Sequence, residues 1–185
     1  MFFFDTSSVE LKFKPKSIEH AYLAILDNDL RIAQAVFETL DSPRSRWGLA
    51  LIDILKGYIE KYPTYFEIRN FLEIDLDFLI KNEKIDYVEQ LLGSLDFLSK
   101  INQEVYKYAA RVMFENKLQN AALEYMEKSK NIFYNDPEIQ FMFAKYYLNT
   151  HNLKKADNYL SECLRIVPDY YPAIKIKQNI LNTFE

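Results

Sequence analysis

Residues 137–170 read PEIQFMFAKYYLNTHNLKKADNYLSECLRIVPDY, a stretch of 34 residues that decides how the rest of the chain is read. Apolar residues recur at spacings of three and four on both sides of Thr150-His151-Asn152. That spacing predicts two amphipathic helices, over 137–149 and 154–166, joined by a few polar residues. Asp136-Pro137 supplies an N-cap and a proline at the first helical position, where the missing N–H costs nothing. So short a link forces the helices into an antiparallel hairpin. Within the stretch Gln140, Phe143, Ala144 and Tyr147 are followed by Ala156, Leu160 and Pro168. Moving back 34 residues meets Tyr106, Ala109, Ala110 and Met113, then Ala122 and Met126. A second step of 34 meets Leu72, Asp75, Leu76 and Leu79, then Val88 and Leu92. A degenerate copy follows upstream, with His20, Ala21 and Ala24, then Ala33 and Phe37.

This pattern resembles the tetratricopeptide repeat signature, W-x2-L-G-x2-Y, then A-x3-F, then P. Gln140 stands where the signature has Trp, and Ala144 replaces Gly by the next smallest residue. Asp75 occupies a place where the pattern wants an apolar side chain. The packing logic is plain: small residues let the two helices of a hairpin approach, and large apolar ones fill the groove between hairpins. One hairpin cannot bury its apolar face alone, so stacking supplies the core. The resemblance implies an all-α, right-handed α-solenoid of helix hairpins.

Working outward, helices are predicted over 17–27, 30–40, 46–61, 64–81, 85–98, 103–116, 118–133, 137–149, 154–166 and 171–184. The chain then divides into an N-terminal tail, 1–16, and irregular N-terminal helices with one degenerate hairpin, 17–68. Three repeats, 69–170, and a capping helix, 171–185, follow. The tail shows no convincing helix; it is either disordered or tucks Phe2–Phe4 against the first helices. The segment 41–63, with Pro43 and Trp47, is not covered by the repeat pattern. In the cap, Ala173, Ile174, Ile176, Ile180, Leu181 and Phe184 can face the array while Lys175, Gln178, Asn179 and Asn182 face outward. A solenoid needs such a solvated end.

The polar residues of each repeat's first helix form stripes 34 residues apart. They run Asn70, Glu73, Asp77, Lys81; then Glu104, Lys107, Arg111, Glu115; then Glu138, Phe141, Lys145, Asn149. In tetratricopeptide proteins the first helices line a concave surface that binds an extended peptide or a partner helix. The resemblance therefore implies a basic groove of Lys107, Arg111 and Lys145 with Phe141 as its aromatic floor. The competing outcome is mutual neutralisation, Glu73 with Lys107 and Asp77 with Arg111, at roughly 0–1 kcal/mol per pair. The acidic Glu73 and Asp77 argue against the family's subset that grips a C-terminal carboxylate with a Lys/Asn/Arg set.

Composition narrows the function classes. The 185 residues are 49% hydrophobic and 27% charged, an ordinary globular balance for about one domain. Three glycines leave no room for phosphate-cradling loops, so no nucleotide cofactor is expected. The net charge of -4 argues against nucleic acid as a partner. The single Cys163, on an apolar helix face, reads as packing rather than as a nucleophile. His20 and His151 lie far apart, and Glu73 with Asp77 lacks further metal ligands, so no catalytic or metal site is expected. No apolar run is long enough to span a membrane, and the start lacks a signal-peptide pattern, so cytoplasm is the expected location. The expectation is a non-catalytic, cofactor-free interaction or scaffold module with a protein or peptide partner. Self-association through exposed apolar side chains is the second reading. RNA binding is the third, prompted by the 35-residue spacing of Ala121 and Ala156 and the related pentatricopeptide family.

Overall fold

The computed structural model describes residues 17–181, the side chain of Leu181 excepted. Phe2–Phe4 and Phe184, whose packing the sequence raises, lie outside the described residues. Among the described residues there are eleven helices and no strand. They are α1 (Ile18–Leu26), α2 (Leu30–Phe37), α3 (Pro43–Leu55), α4 (Tyr65–Lys81), α5 (Ile85–Gly93), α6 (Leu95–Leu98), α7 (Val105–Glu115), α8 (Gln119–Ile132), α9 (Pro137–Asn149), α10 (Leu153–Ile166) and α11 (Tyr171–Leu181). The hairpins α1/α2, α4/α5, α7/α8 and α9/α10 stack in chain order, with α3 packed on α2, α4 and α5, and α11 packed on α10. The result is an all-α solenoid.

The hairpin turns show how local chemistry produces this order. Asn28, Glu83, Lys117 and His151 each have φ near +60° (60, 57, 63 and 57°). In every case the amide of that residue donates to the carbonyl three residues back, as Glu83 does to Ile80. The next amide donates five residues back: Asp29 to Ala24, Lys84 to Leu79, Leu118 to Met113 and Asn152 to Tyr147, at 2.8–3.0 Å. This is the Schellman closure of a helix, which satisfies the last carbonyls. The last three of these left-handed residues are spaced by 34, like the starts of α5, α8 and α10 at Ile85, Gln119 and Leu153. Left-handed backbone costs a residue with a Cβ and costs glycine nothing. Glu83→Gly, Lys117→Gly and His151→Gly, all at exposed positions, are each expected to raise stability by about 0.5–1 kcal/mol. Urea midpoints of the single variants check this, and Asn28→Gly should gain less because Asn tolerates the conformation.

Two predicted helices differ in extent. The helix expected over 46–61 runs from Pro43 to Leu55. It starts early because Ser42 caps it through the Ser45 amide, with Pro43 at the first helical position. It stops early because Gly57 turns the chain at φ 84° and the Asp53 carboxylate accepts from the Glu60 and Lys61 amides. The helix expected over 85–98 breaks at Ser94 into α5 and α6, and Ser94 Oγ donates to the Leu91 carbonyl.

Burial follows the packing logic of the sequence. Ala109, Ala110, Ala144 and Ala156 are fully buried where helices approach closely. One core of apolar side chains runs continuously from α1 to α9. A smaller one joins Ala144, Ala156, Leu160, Cys163, Ala173 and Ile180 under α9, α10 and α11. The last helix buries Ala173 and Ile180 and leaves Lys175 and Gln178 exposed. Segment α3, outside the repeat pattern, is heavily buried, with Trp47, Leu51 and Ile52 at 0% exposure. Its Gly48 is a close-approach position: a Cβ there would lie 2.5 Å from the ring of the buried Phe37. Gly48→Ala improves helix propensity by about 1 kcal/mol, yet a net loss of about 1–3 kcal/mol is expected because the ring has no room to retreat. A raised urea midpoint would contradict this.

Candidate functional site

The stripes on the first helices meet across α4, α7 and α9, but not in the pairing the 34-residue spacing suggests. Glu73 pairs with Arg111 Nη1 at 2.5 Å, and not with Lys107. Asp77 pairs with Lys81 at 2.6 Å and accepts from Asn116 at 2.9 Å, and not from Arg111. Partners on α4 and α7 are therefore 38 or 39 residues apart, as Tyr65 and Glu104 also are. The physical reason is the connection. α7 begins 40 residues after α4, because α6 and the turn after it lengthen the return path. The helices consequently pack about one turn out of the expected register.

Lys107 lies nearly buried between two carboxylates, Glu104 at 2.7 Å and Asp136 at 2.9 Å. Burial disfavours its ammonium, and the two carboxylates more than offset this, so its pKa is raised. The hydrogen bond from Lys107 in turn holds the Glu104 carboxyl below its usual range. Asp136 also caps α9 through the Glu138 and Ile139 amides, so Lys107 ties α7 to the start of α9. Arg111 is half-buried between Glu73 and Glu138, with Nη2 2.6 Å and Nε 2.9 Å from Glu138 Oε1. Burial pushes the Glu73 carboxyl up against the pull of Arg111, and the nearby Glu138 and Glu115 push the same way. The middle of this face thus gathers three carboxylates around one guanidinium, and the two central cations are engaged.

Lys145 is placed differently. Among the described residues it has no carboxylate at ion-pair distance. Its Nζ sits 4.8 Å from the ring centre of Phe114 and 5.9 Å from that of Phe141. Phe141 meets Tyr170 edge to face at 5.3 Å. Phe114, Phe141 and Tyr170 are all half-buried, so a patch of accessible ring surface carries one uncompensated cation. The structure therefore brings Phe141 and Lys145 together and keeps Lys107 and Arg111 in ion pairs beside them. Phe114 and Tyr170 were not singled out in the sequence. Phe114 lies three residues after Arg111 on the same helix, a spacing that would have flagged it.

Other polar candidates take structural roles. His20 closes a capping box with Ser17 on α1, and His151 is an exposed turn residue. Cys163 is buried, and burial pushes its thiol up to about 11. Among the described residues no three His, Cys, Asp or Glu side chains converge to hold a metal. No helix among them is long and apolar enough to cross a membrane.

No family model and no curated protein matches the chain. Among solved structures it is similar to YrrB, a TPR protein with an unusual peptide-binding site. That similarity covers 87% of this chain and 90% of the other, at 17% identity and a TM-score of 0.44. On its own hairpin turns, its 34-residue spacing and its stacked small-residue contacts, the chain is an all-α solenoid of tetratricopeptide-like hairpins.

Proposed function

We propose that the chain is a non-catalytic protein-interaction module whose first-helix face holds a peptide or helix of a partner protein. The observation that carries this reading is Lys145, a cation with no carboxylate partner among the described residues, seated on the accessible rings of Phe114 and Phe141. Rings of this kind serve as anchors when a partner's apolar side chain excludes water over them. An adjacent ammonium favours a carboxylate beside that side chain. Glu73, Glu115 and Glu138, further along the face, suit a cationic residue of the same partner. Of the four residues singled out in the sequence, Phe141 and Lys145 would touch the ligand. Lys107 and Arg111 would hold α4, α7 and α9 in register through their ion pairs.

Selection of binders from a random peptide library, followed by calorimetry, tests this. Phe141→Ala is expected to weaken a selected peptide by at least about 1 kcal/mol, mainly through faster dissociation. Lys145→Glu should weaken it and reverse its salt dependence. Neither change should move the urea midpoint by more than about 0.5–1 kcal/mol, since both side chains remain partly solvated. Selected peptides that bind both variants as tightly as the parent would remove this face from consideration.

A further inference from the structure

A second recognition surface lies away from the first-helix face, in a groove of about 470 Å³ between α8, α9 and α10. Three aromatic rings form one wall. Phe143 stacks on Tyr159 with ring centres 4.8 Å apart and planes at 14°, and Tyr147 stacks on Tyr159 at 5.5 Å and 13°. Lys130 Nζ lies 5.1 Å from the Phe143 ring centre and 5.2 Å from that of Tyr159, and donates to Tyr159 Oη at 3.3 Å. Lys155 Nζ lies 4.8 Å from the Tyr147 ring centre. Neither lysine makes an ion pair among the described residues. Glu162 also lines the groove, but its carboxylate is bound to Arg165 at 2.8 Å. The two ammonium groups are thus held in place by rings and keep their full charge.

The remaining groups point the same way. Tyr147 Oη has no hydrogen-bond partner among the described residues, and Tyr159 Oη only accepts, so both hydroxyls are available as donors. Gln140 spends its amide N–H on the Tyr134 carbonyl. We propose that this groove binds an acidic peptide segment of a partner protein, with carboxylates at Lys130 and Lys155 and an apolar side chain against the ring edges. Charge complementarity argues for the carboxylates. The geometry argues for peptide over nucleic acid. The ring faces are already taken up by one another and by the lysines, leaving no bare face for a base to stack on. The exposed ring edges carry the positive end of the aromatic quadrupole, which suits an anion.

The test is fluorescence anisotropy with a fluorescein-labelled hexapeptide, Glu-Asp-Phe-Glu-Asp-Glu, titrated at low and high salt. The full chain is expected to bind it at low salt and to lose affinity as salt rises. Charge reversal at Lys130→Glu with Lys155→Glu should weaken binding roughly tenfold or more. Lys155→Glu alone, at an exposed position, should weaken it severalfold and keeps the test valid if the double variant fails to fold. The pair Phe141→Ala with Lys145→Glu should bind the probe like the parent, which separates this groove from the first-helix face. The proposal is overturned if the probe does not bind, if reversal at the two lysines leaves its affinity unchanged, or if Phe141 and Lys145 carry it instead. It is equally overturned if hexauridylate displaces the peptide through the same two lysines.

Discussion

Asp75→Ala is expected to lower the stability of the chain by about 3–5 kcal/mol, the range for a buried ion pair that loses one partner. Asp75 is fully buried on α4. Its Oδ1 accepts from Arg44 at 2.5 Å, and its Oδ2 accepts from Trp47 Nε1 at 2.5 Å and from Tyr22 Oη at 2.9 Å. One carboxylate therefore ties α1, α3 and α4 together. All three neighbours are donors, so the ionised form is the one that satisfies them. Without it, a guanidinium that already has one buried nitrogen unpaired would keep only the faces of Tyr22 and Phe71, each 4.7 Å away. Burial pushes the Asp75 carboxyl above its usual range, and Arg44, Trp47 and Tyr22 pull it back only in part. The site as a whole is therefore costly to bury, and its value is in the pairing. Accordingly, Asp75→Leu combined with Arg44→Met should recover a large part of the loss, because no uncompensated charge remains. Urea unfolding of the single and double variants checks both statements. A single variant that loses less than about 1 kcal/mol would show that the cluster does not hold the N-terminal helices.

Phe143→Ala should cost a similar amount, about 3–5 kcal/mol. Phe143 is fully buried on α9 and stacks on Tyr159 of α10, next to Ala144, where the larger core gives way to the C-terminal one. Deleting the ring removes the transfer energy of its atoms and leaves a cavity that two helices pinned by a tight turn cannot close. Phe143→Leu fills part of that space and should cost clearly less. The same deletion withdraws the surface beneath Lys130, so binding of the acidic hexapeptide should fall along with stability. Equal urea midpoints for Phe143→Ala and the parent would contradict the packing argument.

Much of this architecture is written locally. The three-and-four spacing of apolar residues, the caps at Asp136 and Ser42, and the polar links between helices identify the helices and force the hairpins. They act within a turn or two of chain, and such interactions are set by residue type and order alone. The 34-residue spacing extends this to stacking, because each hairpin presents the same small and large residues to the next. Buried Ala109, Ala144 and Ala156 and the half-solvated last helix follow from that rule.

What residue order could not contain is who meets whom across helices. Asp75 looks misplaced within its repeat and becomes intelligible only when α1 and α3 bring Tyr22, Arg44 and Trp47 to it, 53, 31 and 28 residues away. Gly48 is an unremarkable glycine until the ring of Phe37 lies against it. The stripes of the first helices are legible, but their pairing is not. The longer connection through α6 moves α7 by about a turn, giving Arg111 to Glu73 and Glu138 and leaving Lys145 on its aromatic rings. Tertiary structure decided these points, because a charge or a cavity is neutralised or filled by whatever lies within a few ångströms, and the helix stagger that sets those distances depends on the whole connection between hairpins.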